Sequence, residues 1–181
     1  MVIMDIEALK FPIGKFSRPE LITESILDQW ITEISAFPEQ LKLQVLYLSD
    51  EQLDTQYRPE GWTIRQVIHH CADSHINSLI RLKLALTEEQ PTIKPYWEAL
   101  WAELPDTKNM PIAPSIKIIE GIHERWTILL RSLTKQDLNR TFIHPEYGKI
   151  YRIDEYIGVY AWHCNHHLAH IIQAKNRNNL E

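Results

Sequence analysis

Between Thr23 and Leu48 the apolar residues Ile26, Trp30, Ile34, Phe37, Leu41, Val45 and Leu48 return at intervals of three and four. That spacing draws one stripe along an α-helix, whereas on a strand it would scatter over both faces. A chain that begins this way must supply other helices to cover the stripe. Pro38 falls inside the pattern, deletes a backbone donor and predicts a kink or a break there. Ser49-Asp50-Glu51-Gln52 then reads as a capping box that opens a short extra helix.

Three further helices are legible. Pro59-Glu60-Gly61-Trp62 is a turn, and Thr63-Ile64-Arg65-Gln66 is a second capping box, starting a helix expected to reach about Leu86. Ser115 is placed as the cap of a third helix, with Ile119, Ile122, Trp126, Leu129, Leu130 and Leu133 toward the core. Asp154 is placed as the cap of a fourth, running to roughly Lys175, with Asn176–Glu181 as a fraying tail. Between Thr87 and Pro114 stand five prolines and one short helical stretch, Tyr96–Leu104, which suits a long crossover or a lid. Residues 141–153 read as a small hairpin or irregular loop around Pro145 and Gly148. With only five glycines and little period-two patterning, the expectation is an all-α four-helix bundle with short extra helices and a long crossover loop, a single domain over residues 1–181.

The net charge of −5 argues against nucleic acid or an anionic membrane surface as the main partner. No apolar run approaches the length of a membrane span. Met1–Glu7 lacks the basic start and long apolar core of a signal peptide, and two cysteines make no disulfide framework, so a cytoplasmic address is expected. Cys71 and Cys164 read as small core fillers.

Chemistry concentrates in the histidines. Trp162-His163-Cys164-Asn165-His166-His167-Leu168-Ala169-His170 puts His163, His167 and His170 within a helical arc of roughly 60°. Two imidazoles four apart can grip one metal ion, but a single helix rarely closes a site. The helix after Thr63 offers the third ligand, because Gln66, His70, Asp73 and Asn77 form a polar stripe on it. If that stripe faces the fourth helix, His70 meets His163 and His167 inside the bundle. Three neutral imidazoles leave a zinc ion an open position, where a bound water could have its pKa lowered to about 7. Asp73 either holds a ligand imidazole by its second nitrogen or joins a solvent-facing stripe. Asp73 and His170 are the candidates for a general base. His69 and His166 point away from the ligand arc and read as supporting, rim or surface groups, while His123 and His144 read as ordinary surface residues. Trp62, Trp97 and Trp101 either line a pocket mouth or pack loop against bundle.

The stretch Gly61–His75, together with Pro12–Phe16, Gln52–Thr55, Tyr57-Arg58 and Trp162–Ile171, resembles the YfiT-like metal-dependent hydrolases of the DinB-like superfamily. The resemblance covers nearly the whole chain. It implies a bundle of up-down-down-up topology, a homodimer, and one zinc or nickel ion per subunit held by His70, His163 and His167. Cys164 departs from the small polar residue or histidine expected at its place. The function implied is hydrolysis of a small-molecule substrate. Two alternatives stand beside it: a thiol S-transferase of the bacillithiol type, which would use the same ligands, and a non-catalytic metal-holding dimeric module, which would fill the coordination sphere with protein.

Overall fold

Helix caps set the frame in the computed structural model, which describes residues 5–180; Met1–Met4 and Glu181, part of the expectations about the two chain ends, lie outside it. A short helix α1 (Ile6–Lys10), capped by the Asp5 carboxylate, precedes the first long helix, α2 (Glu24–Val45), capped by Thr23. The helix α3 (Asp50–Leu53) opens on the Ser49–Gln52 capping box, and α4 (Ile64–Thr87) on the Thr63–Gln66 box. The crossover carries α5 (Glu98–Trp101) and α6 (Pro105–Asn109), and leads to α7 (Ala113–Arg131) and α8 (Lys135–Leu138). A hairpin, β1 (Thr141–His144) and β2 (Lys149–Arg152), pairs Thr141 with Arg152 and His144 with Lys149, and runs straight into α9 (Ile153–Asn178).

The four long helices form a closed ring. α2 packs against α9 and α7, and α4 packs against the same two, so α2 and α4 face each other across a diagonal. Ile34, Phe37 and Leu41 of α2 meet Ile64, Ile68 and Leu82 of α4, Trp126 of α7 and Ile157 of α9 in one core. Gly158 is required where α9 crosses α2: a Cβ there would lie 2.7 Å from the Trp30 indole. The crossover is fastened to the hairpin by Ile93 N–H donating to Ile143 O at 3.0 Å and Ile143 N–H donating to Pro91 O at 2.9 Å.

Several boundaries differ from those expected. α2 passes through Pro38 as one helix. Burial of Ile34, Phe37 and Leu41 around the proline holds the helical path that backbone bonding alone would interrupt. Ser115 is not the cap of α7, which begins at Ala113 with Pro114 in its first turn, where a missing N–H is harmless. Asp154 is not the cap of α9 either. It lies inside the first turn, accepting from Arg152 and from the Glu155 N–H at 2.7 Å, where a carboxylate favours the helix dipole. The tail does not fray where expected, because α9 continues to Asn178 and closes on Asn179 in a left-handed conformation.

Candidate metal centre

The polar stripe of α4 faces α9. One nitrogen each from His70, His163 and His167 lie within 4.8 Å of one another. Nε2 of His70 stands 3.3 Å from Nε2 of His163. Two nitrogens each bound about 2.0–2.1 Å from a tetrahedral ion would themselves be about 3.3 Å apart, so the spacing suits a shared cation.

Hydrogen bonds behind the rings decide which nitrogens are bare. The carbonyl of Ile34 can only accept, so Nδ1 of His123, 2.6 Å away, must carry the proton. Nε2 of His123 therefore accepts from Nδ1–H of His75 at 2.7 Å. Nε2 of His75 in turn accepts from Nδ1–H of His163 at 3.1 Å. His163 is left with an unprotonated Nε2 directed at His70. The Ile34 carbonyl has a sequence cause: the residue four places on is Pro38, which has no N–H to offer it. His75, His123 and Cys164 also place donor atoms within 4.8 Å of one another. The 2.7 Å between His75 and His123 is a hydrogen-bond length, too short for two ligands of one ion, so this cluster reads as a relay and not a second centre.

His167 is set the same way from the other side. The Lys10 carbonyl accepts from Nε2–H of His170 at 3.0 Å, so Nδ1 of His170 accepts from Nδ1–H of His167 at 3.4 Å, a long bond, and Nε2 of His167 is bare. Tyr57 stacks on His170 with centroids 3.9 Å apart. The segment before α2 thus helps build the site.

Burial keeps these rings neutral. It pulls His70 down to about 4, with the nearby His170 adding to the effect, and drives His163 and His167 well below the ordinary histidine value. Neutral imidazole is the form that binds a metal.

A cavity of about 870 Å³ reaches the centre, lined by His70, His163 and His167 along with Trp62, Tyr160 and His166. The ring of Trp62 lies 4.7 Å from that of His70, so this tryptophan borders the site, and Trp97, exposed on the crossover, also lines the cavity, as the pocket-mouth reading expected. Asp73 is not among the lining residues. It sits on the flank of α4, where burial and then Asp106 raise its carboxyl to about 6. Both nitrogens of His170 are engaged.

Other sequence readings need correction. His123 and His144 are buried, not surface residues: the first is a relay member and the second stacks on Tyr147 at 4.4 Å. For His69 the supporting alternative holds and the surface one does not: it is buried, bonded to Ser115 Oγ at 2.7 Å and Met110 O at 3.2 Å, so it pins α4 to the start of α7. His75 is the site residue that helical arcs missed. Its place depends on bonds to two other helices, which no spacing on α4 encodes, although His75 closes the Gly61–His75 stretch that carries the family resemblance. Cys71 and Cys164 are buried with raised thiol pKa values, the inert core fillers expected.

A model of the DinB superfamily matches residues 39–171. A protein of Oceanobacillus iheyensis named "putative metal-dependent hydrolase" is 57% identical over 162 residues, covering 90% of this chain and 93% of its own. A Bacillus cereus protein of the same name is 52% identical over 171 residues, covering 94% and 98%. The solved structure of YfiT from Bacillus subtilis, described as a probable metal-dependent hydrolase with an unusual four-helix bundle topology, matches with a TM-score of 0.94 and 45% identity over 96% of this chain and 99% of that one. A mycothiol-dependent maleylpyruvate isomerase shares the fold alone, at 17% identity and a TM-score of 0.50 over 77% of this chain and 60% of its own.

Proposed function

The chain belongs to the DinB superfamily, and on that premise we propose that it is a metal-dependent hydrolase of a small molecule, with His70, His163 and His167 holding one divalent cation. The observation that carries this reading is the convergence of three neutral imidazoles, two of them with the bare nitrogen fixed by hydrogen bonding, on the wall of an open cavity. Three nitrogen donors suit zinc, and also nickel. Such an ion, when bound, supplies a Lewis acid and a water acidic enough to ionise near neutral pH.

The protein's own part is orientation and exclusion. His75 and His170 hold the proton on the far side of His163 and His167, so that neither ring can turn its N–H toward the cavity without breaking a buried bond. Trp62 packs against His70 and shields one side of it from water. Tyr160 and Ser74 share a hydrogen bond at 3.2 Å on the cavity wall, and their hydroxyls are placed to bond a substrate.

The test is a turnover screen of zinc- and nickel-reconstituted protein against esters and amides, run beside thiol-plus-electrophile mixtures, with His163→Ala as the blank. Metal-dependent release from an ester or amide above the blank is the expected result. Turnover confined to the thiol mixtures would overturn hydrolysis in favour of transfer. Rates equal to the blank throughout would leave a metal-holding module.

A further inference from the structure

The cavity runs well past the histidines. Arg81 lies eleven residues beyond His70 on α4, a turn angle that returns it to the same face, about 16 Å along the helix. His70, Ser74 and Arg81 all line the cavity. Arg81 is only 8% exposed, yet among the described residues it has no carboxylate partner within ion-pair distance. Its one hydrogen bond is Nη2–H donating to Lys94 O at 3.3 Å, and its guanidinium lies over the Tyr96 ring at 5.9 Å. The other arginines near the site are committed: Arg65 is paired with Asp50 and Asp54, and Arg58 donates to Pro59 O and Tyr57.

A buried charge ordinarily has a partner of opposite sign, and an arginine cannot escape by losing its proton. The groups around Arg81 are also short of partners. Arg81 Nε, Ser78 Oγ, the Tyr156 hydroxyl and His144 Nδ1 are all buried without a hydrogen bond. Tyr156 stands close enough to Arg81 and Ser78 to interact with both, but Arg81 Nε, Ser78 Oγ and the Tyr156 hydroxyl make no hydrogen bond of normal length and angle. Glu98 and Glu146 line the same cavity but are exposed, and neither comes within ion-pair distance of the guanidinium.

We propose that the Arg81 end of the cavity is an anion pocket that takes a carboxylate or phosphate of the substrate, gripped by the guanidinium fork and the Tyr156 hydroxyl, while the bond to be broken lies at the histidine end. This names a substrate class, an elongated molecule with an anionic terminus, and that part rests on the metal-dependent reading above. The pocket itself does not.

Two arms test it. In the first, metal-free protein is titrated with succinate and with inorganic phosphate while the Arg Nε–H resonances are followed by NMR. A saturable shift of the Arg81 signal with one of the anions is expected, and which anion gives it identifies the headgroup. Arg81→Lys should retain part of the binding, read by calorimetry, and Arg81→Met should abolish it with its circular dichroism unchanged. No saturable shift with either anion overturns the pocket, as does equal binding to the methionine variant.

In the second arm, zinc-loaded protein receives hydroxamates that end in a carboxylate or in its methyl ester, across a series of chain lengths. At the best length the acid should bind about 10- to 100-fold more tightly than the ester, and Arg81→Met should erase that difference. Acid and ester binding alike at every length would overturn the substrate assignment. Failure of every hydroxamate while succinate or phosphate still binds in the first arm would overturn the metal reading and leave the pocket standing.

Discussion

His75 Nε2 lies 3.1 Å from His163 Nδ1, and His163 can reach a cation only through its opposite nitrogen. Replacing His75 with Phe removes that restraint and leaves a buried N–H unpaired. Metal affinity should weaken by about 10- to 100-fold, measured by competition with a chromophoric chelator. His75→Gln, whose amide oxygen can accept the same bond, should recover part of the loss. Equal affinity in all three proteins would remove the relay from the account of the site.

Pro38→Ala separates stability from affinity. The alanine N–H would compete with His123 for the Ile34 carbonyl, held at 2.6 Å in the present structure. The helix gains a backbone bond and a better helix former, so the melting temperature should hold or rise. The His123 ring loses its anchor, so the metal should bind less tightly and the imidazole nitrogen shifts of His123 should show mixed tautomers. A parallel fall in both stability and affinity would mean that the proline serves the fold alone.

The metal-free protein should lose stability below neutral pH. Burial pulls His70 and His123 down to about 4 in the folded chain. Above the unfolded value of about 6.5 both states are neutral and the groups contribute nothing to the slope. Between about 6.5 and 4 the unfolded chain takes up protons that the folded chain refuses, so unfolding free energy falls as pH falls. Urea titrations at several pH values across that window should show it, and a flat profile would contradict the buried neutral rings.

Asp73 should act with the opposite sign. Burial and then Asp106 raise its carboxyl to about 6, so above the usual carboxylate range its ionised form is penalised in the folded state. Asp73→Asn should therefore stabilise the protein at pH 8, by about 2–4 °C for each kcal/mol relieved, with the gain shrinking through about pH 6 to 4 and gone by about pH 3. Lying off the cavity lining, Asp73 should also be dispensable for turnover. A collapse of activity in this variant would restore it as the base.

Gly158→Ala tests the α2–α9 crossing. The new methyl would start 2.7 Å from the Trp30 ring, which must shift or push the helices apart. A loss of about 1–3 kcal/mol in unfolding free energy is expected. Trp30→Leu in the same chain should recover much of it.

The bundle was legible because apolar repeats mark α2 and α7 and a capping box marks the start of α4. Ser49 and Thr63 are caps as read, and Thr23, read only as the start of the first helix, caps it. Ser115 and Asp154 misled because a polar residue in a first turn looks the same in sequence whether it caps the backbone or bonds something else. Here Ser115 bonds His69 and Asp154 bonds Arg152. The grouping of His70, His163 and His167 followed from spacing on two helices. The rings behind His163 did not, because His75 and His123 take their roles from bonds between elements far apart in the chain. The buried state of His123 and His144 was missed for a related reason: a lone histidine carries no periodicity, so its surroundings are set wholly by tertiary packing.

Pro38 has a consequence that reaches beyond its own helix. A regular α2 would engage the Ile34 carbonyl internally and hold the ring beside it less firmly. The defect turns one backbone oxygen outward, and from that oxygen the proton positions of three successive imidazoles can be counted off to the cavity wall. A helix that contributes no ligand therefore decides which edge of His163 is electron-rich, and drift at residue 38 could alter metal selectivity while every ligand stayed in place.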